Sequence, residues 1–109
     1  MKEIRIIKWK NVLDRCGTDK EMRKAFNMAY LKLQNADWSK PNDIKSTFGS
    51  ADLVTCSKGH NRVVLNVGGN KYRLILGYFF SENTTSLFVK FVGTHQEYDK
   101  VDACKVNMF

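Results

Sequence analysis

Residues 62–99, RVVLNVGGNKYRLILGYFFSENTTSLFVKFVGTHQEYD, decide how this chain folds. They read as three strands joined by two tight turns and closed by a capped helix. Arg62 to Val67 is the first strand. Gly68-Gly69-Asn70-Lys71 is a hairpin turn, because glycine and asparagine tolerate positive φ. Tyr72 to Phe80 is apolar apart from Arg73, as a central strand covered on both faces would be. Ser81-Glu82-Asn83-Thr84 turns the chain again, and Ser86 to Val92 forms the last strand. Thr94-His95-Gln96-Glu97 is a capping box, in which threonine and glutamate side chains satisfy orphan amides at the start of a helix carrying Tyr98 and Val101. Ala103 to Phe109 is expected to fray.

Upstream, the chain reads as cover for one face of that sheet. Ile4, Ile6 and Ile7 make a first strand of Glu3 to Lys8, with Lys2, Arg5, Lys8 and Lys10 as the cations that guard an exposed edge. Trp9, Val12, Leu13 and Cys16 recur at helical spacing before Gly17. Thr18-Asp19-Lys20-Glu21 has the capping-box pattern. Behind it Met22, Ala25, Phe26, Ala29, Tyr30 and Leu33 form one stripe, opposite Lys20, Arg23, Lys24, Asn27 and Lys32. Pro41 opens a short helix from Asn42 to Phe48 with Ile44 and Phe48 inward, and Trp38 anchors the loop before it. Ala51 to Cys56 reads as a strand and Ser57 to Asn61 as a turn. The sum is an α+β fold, a twisted and mostly antiparallel sheet with N-terminal helices on one face and a short C-terminal helix. Its 109 residues suit a single domain.

Eighteen basic against 11 acidic residues give a net charge of +7, which favours an anionic partner such as nucleic acid. Up to position 55 there are 11 basic and 7 acidic residues, and after it 7 and 4, so the excess marks a folded basic body and not a charged tail. Cys16, Cys56 and Cys104 are odd in number and stand at no metal-ligand spacing with His60 or His95, so a reduced, cytoplasmic chain with no metal or cofactor is expected. No apolar run of signal or membrane-spanning length occurs, and no membrane partner is expected.

Period-two alternation puts Arg62, Val64 and Asn66 on one face, Lys71, Arg73 and Ile75 on one face of the next strand, and Phe88, Lys90 and Val92 on one face of the last. If these sides coincide, Arg62, Asn66, Arg73 and Lys90 converge with His95 in a cationic pocket holding one nitrogen base. Such a pocket suits phosphodiester transfer in RNA, where a base takes the 2′-hydroxyl proton, cations hold the developing phosphate charge and an acid protonates the leaving oxygen. His95 in a first helical turn lies near a positive dipole end, which favours the neutral, base-competent form, and amides there can receive phosphate. Tyr98 suits base stacking. Each piece also has a plainer reading: His95 as a polar surface residue, Glu97 as a cap, Asp99 as a dipole partner and the Gly-Gly-Asn turn as a hairpin lacking the rest of a P-loop. Arg73 is the exception, because a guanidinium in an apolar strand needs a partner. His60 near Cys56 suggests only a weak nucleophile pairing.

Two motifs, residues 62–75 (RVVLNVGGNKYRLI) and residues 91–99 (FVGTHQEYD), resemble the HigB-type toxins of bacterial toxin–antitoxin modules, within the RelE-like superfamily of mRNA interferases. Ala36-Asp37-Trp38 and Pro41 to Asp52, with Lys45, Phe48 and Ser50-Ala51-Asp52, support the resemblance, which covers roughly residues 18 to 102. It implies helices packed on a twisted sheet, cleavage of translated mRNA in the ribosomal decoding site, and silencing by a helix-turn-helix, HigA-like antitoxin. The residues it marks are Asn70, Lys71, Arg73, His95 and Tyr98, with Arg73 at the family's phosphate-stabilising arginine. The chain departs from RelE at Val64 and Asn66, which replace lysines, and at His95, which replaces an arginine. Acid and base are therefore not assigned by resemblance. The expected site is catalytic Arg73, His95, Lys71 and Tyr98, with Arg62, Asn66, Asn70 and Lys90 binding RNA. A non-catalytic RNA- or ribosome-binding module and a basic surface docking an acidic partner are the alternatives.

Overall fold

The protein is described by a computed structural model covering residues 3–57 and 61–109. Chain order is β1 (Glu3–Ile7), α1 (Trp9–Cys16), α2 (Lys20–Gln34), α3 (Asn42–Thr47), β2 (Asp52–Val54), β3 (Arg62–Val67), β4 (Tyr72–Phe80), β5 (Thr84–Thr94) and α4 (His95–Tyr98). The five strands form one sheet in the order β1-β5-β4-β3-β2, antiparallel except where β1 runs parallel to β5. The expected α+β architecture is the one observed. β1 stands at an edge, where its cations were expected to serve.

One face of the sheet lies under the helices. Alternation sends Val63, Leu65 and Val67 of β3, Leu74 and Leu76 of β4, and Leu87, Val89 and Val92 of β5 into a core with Trp9, Val12, Met22, Phe26, Ala29 and Leu33. Trp38 is buried there too, its indole N–H donating to Thr47 Oγ1 at 3.0 Å, so the loop before α3 is pinned as its sequence suggested. The cap of α2 differs from expectation. Asp19, not Thr18, is the N-cap, and its carboxylate accepts the Met22 amide at 3.1 Å. Glu21 is thereby released from capping and pairs instead with Lys71.

The opposite face carries a smaller cluster, Val64, Ile75 and Phe91, covered by Tyr98, Val101, Ala103 and Val106. Here the C-terminal segment departs from the expected fraying. Arg62 Nη1 donates to the carbonyls of Ala103, at 2.9 Å, and Val106, while the Met108 amide donates to the Lys90 carbonyl at 2.9 Å. Cys104 is joined to Cys56 by a disulfide with a Cα–Cα distance of 5.5 Å. The expectation of three free thiols is therefore overturned for this pair. A separation of 48 residues gives no hint of it, because the two meet only once the tail has crossed the sheet. Cysteine usage thus ceases to argue for a compartment. Cys16 remains a buried free thiol, and burial pushes its pKa up.

Smaller differences concern element ends. β2 is shorter than Ala51 to Cys56, β5 extends beyond Ser86 to Val92 at both ends, and Val101 lies past the end of α4. The weak pairing of His60 with Cys56 and the expected edge cation Lys2 involve residues outside the described ones. Among the described residues no helix is long and apolar enough to cross a membrane.

Candidate active site

The β3–β4 register sets Asn66 opposite Arg73, and the β4–β5 register sets Gly93 on the other side of it. Arg73 is therefore flanked on both sides within the sheet. Its Nη2 donates to Asn70 Oδ1 at 2.7 Å, and its Nη1 reaches the carbonyls of Asn70 at 3.2 Å and Tyr72 at 3.1 Å. The hairpin makes this possible: Gly68 and Gly69 take up the positive φ values, 64° and 70°, which leaves Asn70 free to turn its amide to the arginine. The Tyr98 ring lies over the guanidinium, 5.7 Å from Cζ, and packs on Phe91 with centroids 6.4 Å apart. Gly93 permits that closeness, since a Cβ there would fall 2.8 Å from Phe91 Cζ and 2.9 Å from Glu97 Oε1. Only 7% of Arg73 is exposed, and no carboxylate among the described residues forms an ion pair with it. Its partners are neutral oxygens and a π face, so its positive charge is not cancelled locally.

Tyr98 is delivered by α4, and the start of α4 is held firmly. Thr94 and Glu97 close the expected capping box: Glu97 Oε1 accepts the Thr94 amide at 2.8 Å and Thr94 Oγ1 accepts the Glu97 amide at 3.2 Å. Arg15 Nη2 at the end of α1 adds a 2.6 Å ion pair to the same carboxylate oxygen. The Thr94 amide, and after it Arg15, hold the Glu97 carboxyl below its ordinary range. Arg15 is the residue that sequence reading missed. Its contact joins positions 82 apart, and nothing local announces it.

His95 opens α4 at the same end of the sheet, its amide donating to the Lys71 carbonyl at 2.9 Å. Its Nδ1 lies 3.3 Å from Asp99 Oδ2. The helix-dipole argument for this histidine falls away, because a helix of four residues sums few peptide dipoles. What His95 has instead is this contact with Asp99, between two side chains that are 43% and 58% exposed, which leaves Nε2 uncommitted to the carboxylate. Lys71 does not share the Arg73 face as alternation suggested. It precedes the strand, where the period-two rule does not yet apply, and its ammonium pairs with Glu21 on the helix side. That pairing pushes the Lys71 pKa up.

The single convergent pocket is split. Between Ile75 and Leu76 the β4–β5 register slips, pairing Ile75 with Phe91 but Leu76 with Val89, so Lys90 is the extra residue of a bulge. Val92 consequently belongs to the helix-covered core, while Phe91 joins the face where Lys90 was expected to lead. Arg62 pairs with Gly77, four residues along β4 from Arg73, or roughly 13 Å at strand rise. Arg73, Asn70, Asn66, Tyr98 and His95 thus occupy one end of the sheet, Arg62 and Lys90 the other, with Val64, Ile75 and Phe91 between.

The fold is that of a small basic α+β protein with a five-stranded, mostly antiparallel sheet and a short C-terminal helix. The chain belongs to the HigB toxin family, described as the RelE-like toxic component of a toxin–antitoxin system, whose profile matches residues 22–101. That range runs from α2 through α4 and contains the whole Arg73 end. No curated protein matches the chain.

Proposed function

We propose that this toxin is an endoribonuclease that cleaves translated mRNA at the ribosome and is silenced by a helix-turn-helix, HigA-like antitoxin. The observation that carries the reading is Arg73: a guanidinium almost wholly buried, oriented by Asn70 and Tyr98, and lacking an acidic partner among the described residues. Preorganised charge of this kind stabilises an oxyanion without reorganising during reaction. A scissile phosphate entering past Asn70 and Tyr98 takes up that charge. His95, with the Asp99 carboxylate 3.3 Å from its Nδ1, removes the 2′-hydroxyl proton with Nε2. The 2′-oxygen bonds to phosphorus, the bond from phosphorus to the 5′-oxygen breaks, and the departing oxygen takes a proton from water. The products are a 2′,3′-cyclic phosphate and a 5′-hydroxyl end. Tyr98 stacks on or positions a base. Lys71, exposed and held only by a surface pair with Glu21, exchanges that partner for the phosphate at little cost.

Binding without cleavage is the second reading, and the 7% exposure of Arg73 favours it. The two separate on induced expression. Cleavage predicts growth arrest with new mRNA ends mapping to codons, whereas pure binding predicts salt-sensitive association with RNA or ribosomes and intact transcripts.

A further inference from the structure

The Arg62 end of the sheet holds a cleft of about 370 Å³ whose walls include Asn61, Arg62, Phe79, Phe88 and Lys90 and whose floor is Gly77. The floor is low because Gly77 has no side chain; a Cβ there would already lie 3.4 Å from Lys90 Cε. Three features of this cleft lack an internal explanation. Lys90 is half-buried, its ammonium 5.9 Å from the Phe88 ring centroid, and it forms no ion pair among the described residues. Burial first, then the charges of Arg62 and Lys8, depress its pKa, so the folded chain holds this cation at a cost. The Asn61 side-chain oxygen is buried with no donor among the described residues. Phe79 leaves 64% of its surface open beside them.

We propose that this cleft binds one nucleotide of a single-stranded RNA chain, with its phosphate on Lys90 and Arg62, a sugar hydroxyl or base N–H donating to Asn61, and its base against Phe79. Each unexplained feature then has a use. The anion offsets the crowded cations, the hydroxyl or amino group satisfies the orphan oxygen, and the ring covers the exposed aromatic surface. An inorganic anion would satisfy only the first. The cleft lies roughly 13 Å from Arg73 along β4. Neighbouring bases in a stacked duplex strand advance by about 3.4 Å. It therefore takes a nucleotide flanking the cleaved position and not the cleaved one.

The RNA ligand rests on the proposed function, but the test does not use cleavage. The protein is titrated with a four-nucleotide single-stranded 2′-deoxyoligonucleotide, which lacks the attacking hydroxyl, and separately with 5′-AMP, while backbone amide resonances are followed. The oligonucleotide is expected to shift the amides of Gly77, Phe79 and Lys90 and to bind more tightly than 5′-AMP. Lys90→Met and Phe79→Ala, the latter at an exposed site that folding does not need, are each expected to weaken it by roughly tenfold. Shifts confined to the Arg73 end, no loss in either variant, or equal affinity for 5′-AMP would overturn the proposal. Loss of the cleft with Arg73-dependent mRNA cleavage intact leaves the proposed function standing. Cleft binding by a protein that never cuts mRNA removes the proposed function and keeps a nucleotide site.

Discussion

The two faces of the sheet are built from the same alternating strands and serve opposite ends. On the helix side, side chains from all three long strands meet three helices, and the core there includes Trp9, Phe26, Leu33 and Trp38. On the tail side, among the described residues, the buried cluster is Val64, Ile75 and Phe91, with a cationic group at each end of it. A large dry face tolerates no uncancelled charge, whereas the ends of the narrow apolar strip carry an almost wholly buried guanidinium, Arg73, and a half-buried ammonium, Lys90, neither in an ion pair among the described residues. The difference is the basis on which the proposed site is placed on the face with less core.

That contrast can be broken by substitutions chosen from each side. The largest effect belongs to the helix face. Phe26→Ala removes a fully buried ring and is expected to lower unfolding free energy by about 3–5 kcal/mol in denaturant titration. A loss under 1 kcal/mol would mean that the helix face is not the main store of stability.

The tail face is next. Cys104→Ser releases a bridge closing a 48-residue separation and is expected to cost about 2–4 kcal/mol, read by the same titration under non-reducing conditions. Backbone amides of residues 101–108 should lose hydrogen-exchange protection while α2 keeps its own. Equal loss in α2 would show that the two faces do not behave separately.

The smallest effect sharpens the link between them, the Glu97 carboxylate that ties α4 to Arg15. Its folded pKa lies below the unfolded one, so its contribution is complete above the ordinary glutamate value of about 4.3 and is lost as pH falls through the lowered value. The Thr94 amide resonance should follow that loss on acidification. In Glu97→Gln the acid-side change should vanish, and its persistence would assign the titration to another group.

The helix face was legible in the sequence because its signals are local and periodic. The stripe from Met22 to Leu33 declares itself within a few turns, as do, at the end of the sheet where the two faces meet, the glycines of the 68–71 hairpin and the Thr94 capping box. The tail face was not legible, since its defining contacts are distant. Arg62 to Ala103 and Val106 and Cys56 to Cys104 join positions that no window compares, as does Arg15 to Glu97, which ties the two faces together. The bulge at Lys90 did the most damage to the reading of the site. One extra residue reversed the face assigned to Val92 and divided one imagined pocket into two. The burial of Arg73 among neutral partners could be anticipated because its signal was chemical: a guanidinium in an apolar strand needs a partner, wherever the neighbouring strands run. The cap of α4 at Thr94 was readable, but its length of four residues was not, and with it went the dipole argument for His95.

The central claim is that Arg73 supplies the charge that phosphate cleavage needs. The direct test is primer extension on a translated reporter mRNA after induction of the parental toxin, Arg73→Ala or Arg73→Lys, with circular dichroism confirming that each variant folds. The parent should generate new ends within codons, and loss of the positioned guanidinium should reduce their rate of appearance about 100- to 1,000-fold. Parental cleavage by folded Arg73→Ala would contradict the account, as would the absence of new ends from the parent itself.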